Sequence, residues 1–328
     1  MGEFQKIQQA ARRRIQGAEQ QIRDSLKATA ARNPLAAEWE RDRLVSRLEA
    51  LAPFSREEAD TAADRILGAF KGSKAASDAL TVYNSVDFVG VAFLELGMRA
   101  ARAVARVTLR DGTWQGSGFM VSDRLFLAAH HTIPSAEKAS GMYVEFNYEL
   151  DVNGQPVEST RFELAPSDFF LTEKMSSLDY TLLAVGPKVS GPGELGDFGW
   201  CPLSDDPFTH ALGEVANIVQ HPNGRHKEVV LRENRLVARL HRVLHYVADT
   251  EGGSSGSPVF NNEWKIIALH HAGEPWLETQ DGRGNDVSRA VNEGILVSAI
   301  VDALREQADG LSSEWRGLLQ RALSIGEP

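Results

Sequence analysis

The sequence predicts a mainly β protein, two small barrels preceded by an N-terminal helical domain. Three observations point there. Apolar residues over positions 1–75 recur at three- and four-residue steps, the period of one helix face. From about residue 103 the texture changes to short apolar runs separated by turn residues. Those runs fall into two groups of about six, divided by a Gly/Pro-rich break at 186–196. The expected division is a helical domain over 1–75, a linker and connecting segment over 76–102, and a β domain with closing helices over 103–328.

In the first segment Ile7, Ala11, Ile15, Ala18, Ile22 and Leu26 form one apolar stripe. Arg12, Arg13 and Arg14 lie in the same helix and read as a solvated face balanced by nearby acids. Asn33-Pro34 reads as a helix start, with proline at the first helical position. The face of that helix is Ala37, Leu44, Leu48 and Leu51, and Pro53 stops it. Ser55, with Glu58 three residues on, makes a capping box for a third helix. Its inner face is Ala59, Ala62, Ile66 and Phe70, and Gly72 ends it.

Residues 71–80, KGSKAASDAL, suit a linker. Residues 86–102, with Phe88, Val91, Phe93, Leu94 and Met98, read as a connecting helix or a segment wrapped on the next domain. Strands are expected at 103–109, 114–121, 125–128, 143–148, 161–164 and 180–185. A second set is expected at 214–219, 228–233, 236–246, 257–260, 265–271 and 294–297. Helical patterns at 298–307 and 313–323 close the chain.

Hydrophobic residues at 42% and charged residues at 24% are ordinary for a globular protein. A net charge of −10 argues against a nucleic-acid binder that works by neutralising phosphates. The single cysteine, Cys201, permits no intrachain disulfide and reads as a small semi-buried residue. The first twenty residues have no signal-peptide core, and no apolar run is long enough to cross a bilayer. The expected location is therefore cytoplasmic, with no membrane partner. No His-Glu-x-x-His or cysteine-pair spacing suits a zinc site, so no metal and no cofactor is expected.

The chemistry centres on residues 249–260, DTEGGSSGSPVF. A reactive serine needs its hydroxyl at a bend, with backbone N–H groups aimed at the carbonyl oxygen that becomes an anion. Ser255 offers the hydroxyl, and Gly253 and Ser255 the two N–H groups. Residues 116–135, GSGFMVSDRLFLAAHHTIPS, read as a hairpin that delivers a histidine to a strand end. Neighbours on a strand point to opposite sides, so only one of His130 and His131 can face the serine. Residues 177–185, SLDYTLLAV, put Asp179 at the mouth of another strand. A carboxylate there accepts the second imidazole N–H and stabilises the imidazolium. The chain order His, Asp, Ser is that of chymotrypsin, and the Gly-x-Ser-x-Gly pattern of α/β-hydrolases is not met.

On these pieces the chain resembles the bacterial trypsin-like serine proteases, and within them the glutamyl endopeptidase branch. The resemblance covers roughly residues 100–305 and rests on GSGFMVSDRLFLAAHH, SLDYTLLAV, ANIVQHPNG, DTEGGSSGSPVF and IIALHHAG, in that order. It implies a chymotrypsin-like double six-stranded β-barrel with the active site in the cleft between barrels. It makes 103–328 a trypsin-like serine protease domain with C-terminal helices. Registration without gaps from Gly116 puts the catalytic histidine at His131, with Asp179 and Ser255 as its partners. Thr132 stands where secreted members often carry a cysteine.

In that branch a threonine five residues before the serine and a histidine fifteen after it hold a substrate glutamate. Here they are Thr250 and His270, and a hydroxyl and an imidazole N–H are suitable donors to a carboxylate. Asp249 stands where an acidic residue in trypsin relatives selects Lys or Arg, although glutamyl relatives can carry an aspartate there too. Glutamate is favoured and Lys/Arg stays open; Glu251 is a departure that works against an acidic preference. His271, Ala272 and Gly273 follow on the strand whose edge pairs with the substrate backbone. The polar loop 274–293 either shapes the cleft or is a surface hairpin. The implied partners are a protein or peptide substrate and, through residues 1–75, a regulatory protein or a second copy. The rival reading is a protease fold that has lost turnover and serves as a scaffold.

Overall fold

The computed structural model describes residues 3–51, 54–70, 89–174, 176–273, 276–280 and 286–324. The expected linker at 71–80, the stops at Pro53 and Gly72, and Phe88 lie outside the described residues.

The first barrel is built from β1 (Val104–Leu109), β2 (Trp114–Met120), β3 (Leu125–Ala129), β4 (Met142–Phe146), β5 (Thr160–Leu164), β6 (Phe170–Glu173) and β7 (Tyr180–Ser190). The order β3-β2-β1-β4-β5-β7 closes because β7 pairs back to β3, from Leu125 opposite Ala184 to Ala129 opposite Tyr180. Closure leaves these six strands no free edge. β6 lies along the first half of β7, where β5 has already left it. The sequence pattern missed β6 because all four of its residues are half-buried, so no inside–outside alternation marks it.

The second barrel uses β8 (Asn217–Gln220), β9 (Glu228–Val230), β10 (Leu236–Arg239), β11 (Val243–Tyr246), β12 (Pro258–Phe260) and β13 (Ile266–Ala272). After β13 come a separate hairpin, β14 (Trp276–Gln280) with β15 (Asp286–Ala290), and then β16 (Asn292–Leu296). The order is β10-β11-β16-β13-β12-β8-β9. Backbone bonds from Ala216 N to Asn234 O (2.7 Å) and from Leu236 N to Glu214 O (2.9 Å) join the lead-in of β8 to β10 and complete the ring. The single strand expected at 236–246 is therefore a hairpin. Its turn, held by Leu240 N to Val243 O at 3.0 Å, contains no glycine or proline to announce it. The molecule is a chymotrypsin-like double β-barrel with an N-terminal helical region.

The expected first helix is two, α1 (Glu3–Gly17) and α2 (Glu19–Ala30), which part at Gly17-Ala18. Their apolar stripe docks on the second barrel. Ile15, Ala18 and Ile22 cluster with Val237, Ala238 and Val291, and Ile7 and Ala11 pack on Ala272. Pro34 opens a 3-10 turn, Pro34–Ala37, rather than the next helix. Glu38 then leaves the helical region, and its carboxylate accepts the N–H groups of Trp39, Glu40 and Leu212. Helix α3 starts only at Arg41 (Arg41–Leu51). Helix α4 (Arg56–Phe70) has the expected capping box, with Ser55 N donating to Glu58 Oε2 at 2.8 Å and Glu58 N to Ser55 Oγ at 3.3 Å. Leu44, Val45, Leu48, Ala59, Ala62 and Ile66 form the core between α3 and α4.

The connecting segment is α5 (Ala92–Arg102), which lies flat on Trp264; a Cβ at Gly97 would stand 2.5 Å from the indole. Ser135 caps the short α6 (Ala136–Ala139). Ile300 and Leu304 of α7 (Val297–Ala308), and Leu319 of α8 (Ser313–Ser324), extend the core of the first barrel. No described helix is long and apolar enough to cross a membrane. Cys201 is fully buried, and burial pushes its thiol up to about 12.

Candidate active site

Strand β3 ends at Ala129, and the two histidines lie in the turn that follows, where they reach different partners. His130 places Nδ1 2.7 Å from Thr172 Oγ1. His131 places Nδ1 2.8 Å from Asp179 Oδ2, and its backbone N–H donates to Asp179 Oδ1 at 3.1 Å. Barrel closure sets this meeting, since Asp179 immediately precedes β7 and β7 pairs with β3. Asp179 sits at φ 45°, in the left-handed region that aspartate tolerates better than most residues, and is wholly buried. Burial alone would raise its carboxyl. The His131 imidazole and then His271 outweigh burial and hold it well below the usual carboxylate range.

Ser255 lies in the turn between β11 and β12. Gly253 and Gly256 both adopt φ 88°, open without strain only to glycine. A Cβ at Gly256 would stand 2.1 Å from Ser117 O and 3.1 Å from Ala129 N, and one at Gly116 would stand 2.9 Å from Ser255 O. These absent side chains seat the serine turn directly on β2 and the end of β3, beside His131. Ser117 pins it there: its N–H donates to Ser255 O at 2.9 Å and its hydroxyl to Gly253 O at 2.8 Å. Gly256 N donates to His270 O at 2.8 Å. Among the described residues neither the Gly253 nor the Ser255 N–H donates to a protein acceptor.

Thr250, His270 and Gly273 come together. A Cβ at Gly273 would lie 3.0 Å from Thr250 Oγ1, 3.1 Å from Asn292 Oδ1 and 4.0 Å from His270 Nε2. The Tyr246 hydroxyl is 2.6 Å from His270 Nδ1. Burial raises the Tyr246 phenol and, with help from the His271 charge, lowers His270 to about 3. Tyr246 therefore donates to Nδ1, and the proton of neutral His270 sits on Nε2, the nitrogen nearest Gly273. Thr250 donates to Asn292 Oδ1 at 2.7 Å, and the Asn292 amide to Ala248 O at 2.6 Å. Asp249 is not part of this group. It is exposed and lines a different groove with Gln220, Arg225, Arg232 and Glu251. In that groove Glu251 is paired with Arg225 at 2.5 Å.

Sequence reasoning missed the polar chain behind Asp179. His271 Nδ1 is 2.9 Å from Asp179 Oδ2, and its Nε2 is 2.8 Å from Glu293 Oε1. Glu293 Oε2 meets His245 Nε2 at 2.9 Å. Arg14 of α1 grips the same carboxylate with Nε at 2.8 Å and a terminal nitrogen at 2.5 Å. The Arg12–Arg14 run is thus not one solvated face: Arg12 and Arg13 are exposed, whereas Arg14 turns in with the stripe of Ile7 and Ala11. Two signals were present. A strand neighbour of buried His270 must point to the opposite face, and Glu293 is a charge inside an otherwise buried strand pattern.

A family model described as a trypsin-like peptidase domain matches residues 116–269, just under half of the chain and all three of His131, Asp179 and Ser255. Over this stretch the chain is similar to trypsin-like peptidase domains. The chain is 37% identical over 215 residues to the uncharacterized protein y4fB of Sinorhizobium fredii, covering 62% of this chain and 32% of that protein. It is 26% identical over 192 residues to secreted RxLR effector protein 73 of Plasmopara viticola, covering 53% of this chain and 46% of that one. The chain therefore spans less than half the length of either relative. Among solved structures it is similar to a serine endoprotease from Yersinia pestis, with 18% identity, TM-score 0.44 and 67% of each chain covered. It is also similar to the inactive form of the Rv3671c protease of M. tuberculosis, with 14% identity, TM-score 0.42, and 66% of this chain and 96% of that one covered.

Proposed function

We propose that the protein is a serine endopeptidase. The observation that carries this reading is the His131–Asp179 bond beside a glycine-flanked serine turn, two of whose backbone N–H groups meet no protein acceptor among the described residues. His131, oriented by Asp179 through Nδ1–H, accepts the Ser255 proton at Nε2 as the hydroxyl oxygen attacks the scissile carbonyl. The tetrahedral oxyanion accepts from the N–H groups of Gly253 and Ser255. The imidazolium then gives its proton to the leaving amine, and water repeats the cycle on the acyl-enzyme.

The substrate side chain before the cleaved bond enters beside Gly273. There the His270 Nε2–H supplies a neutral donor, and Thr250 supplies a hydroxyl that can turn from Asn292 to a ligand. This suits a glutamate carboxylate. A Lys or Arg preference would need Asp249 in that space, and Asp249 lines a different groove. Labelling by a fluorophosphonate probe tests the nucleophile: rapid labelling of the native protein and none of Ser255→Ala is expected. An unlabelled native protein would overturn the endopeptidase reading. Cleavage of a peptide library chiefly after Lys or Arg would remove the glutamate assignment alone.

A further inference from the structure

We propose that Arg14 of helix α1 is a positioning residue for the His131–Asp179 pair, acting through Glu293 and His271. The proposal rests on the endopeptidase reading above.

His271 bridges two carboxylates, Asp179 at Nδ1 and Glu293 at Nε2. Carboxylates only accept, so both ring nitrogens must carry protons and His271 is an imidazolium. Burial by itself would strip that proton; the hydrogen bonds to Asp179 and Glu293 prevail and lift the group to about 9. Four charges then stand behind the catalytic pair: Asp179 and Glu293 negative, His271 and Arg14 positive. They cancel, as buried charges must if they are to be tolerated. His131 faces this group from the end of β3, His245 from β11, and His270 adjoins it on β13. His245 donates its Nε2–H to Glu293 Oε2, and His270 is neutral.

Arg14 is the one member contributed by the helical region, and it sits 37% exposed over a wholly buried glutamate. Without it the cluster holds one positive charge fewer. Glu293 then either swings free or takes the Nε2 proton of His271, and Asp179 loses a charged donor on the very oxygen that receives His131. Two consequences are expected together. Turnover falls because Asp179 is less well fixed, while substrate affinity is untouched. The acid limb of the kcat/KM–pH profile moves up, because a less compensated Asp179 holds the His131 imidazolium more strongly.

The test is steady-state cleavage of a fluorogenic peptide by the full chain across pH. Arg14→Ala should lower kcat about tenfold to a hundredfold, leave KM within about twofold, and shift the acid limb upward. Arg14→Gln, which keeps a donor and most of the packing, reports the charge alone should the alanine variant melt early; it should shift the limb in the same sense. Arg14→Lys should recover most of the loss, and Arg12→Ala and Arg13→Ala should match the native enzyme. An unshifted limb in both Arg14→Ala and Arg14→Gln, in a native background that labels and cleaves, overturns the role of Arg14 and spares the endopeptidase reading. A native protein that neither labels nor cleaves overturns both.

Discussion

Asp179 meets several demands at once. It occupies a left-handed conformation, is wholly buried, and takes hydrogen bonds from His131 and His271 on one oxygen. Asparagine tolerates the same backbone, so Asp179→Asn should fold, as checked by circular dichroism, while turnover drops by about 10⁴. Turnover within about tenfold of native would remove Asp179 from the mechanism. Gly256 is the second demanding position. Alanine there meets both the φ of 88° and a carbonyl at 2.1 Å. Gly256→Ala should cost about 2–4 kcal/mol in urea unfolding and lift the serine turn from β2. Equal urea midpoints would contradict that seating.

At the scale of elements, the helical region is wired into the second barrel rather than resting on it. Arg47 of α3 reaches Glu214 at 2.9 Å and Glu263 at 2.7 Å, and both Arg47 and Glu214 are buried. Removing one partner leaves an uncompensated buried charge. Arg47→Met should destabilise by about 3–5 kcal/mol, and adding Glu214→Leu should recover part of it. A double variant no better than the single would show that the loss is one of packing. Gly213 marks another seam: at φ 85°, a Cβ there would fall 1.9 Å from Pro34 O. The capping box at Ser55 and Glu58 was legible because its bonds are local. The start of α3 was not, because Glu38 is held out of the helix by Leu212 and Arg239, both far along the chain.

For the whole molecule, buried histidines couple folding to pH in opposite senses. His271 is raised from 6.5 to about 9, so its contribution is complete below pH 6.5 and is lost as pH rises through 9. His270 and His221 are both lowered from 6.5 to about 3, so their contribution is present above pH 6.5 and fades as pH falls toward 3. Thermal melts should therefore show stability declining on both sides of about pH 6.5, the alkaline decline occurring between pH 6.5 and 9. A flat Tm over that alkaline interval would mean that His271 is not held as the imidazolium between its two carboxylates.

Most of the two barrels could be read in advance, since strand period, turn residues and the glycine-rich serine loop are local properties of the chain. Asp179 and a histidine at 130 or 131 were legible for the same reason, each at the end of a recognisable strand, while the choice of His131 came from the family resemblance. β6, the turn inside 236–246 and the true start of α3 carried no local mark. The sequence by itself determined the double barrel and its candidate triad, because alternation and turn chemistry act over a few residues. Only the tertiary structure decided that Thr250 keeps company with His270 while Asp249 does not, and that Arg14, His271 and Glu293 stand behind Asp179. Those neighbours lie on separate elements, and which side chains share a buried space is settled by packing, which no local pattern encodes.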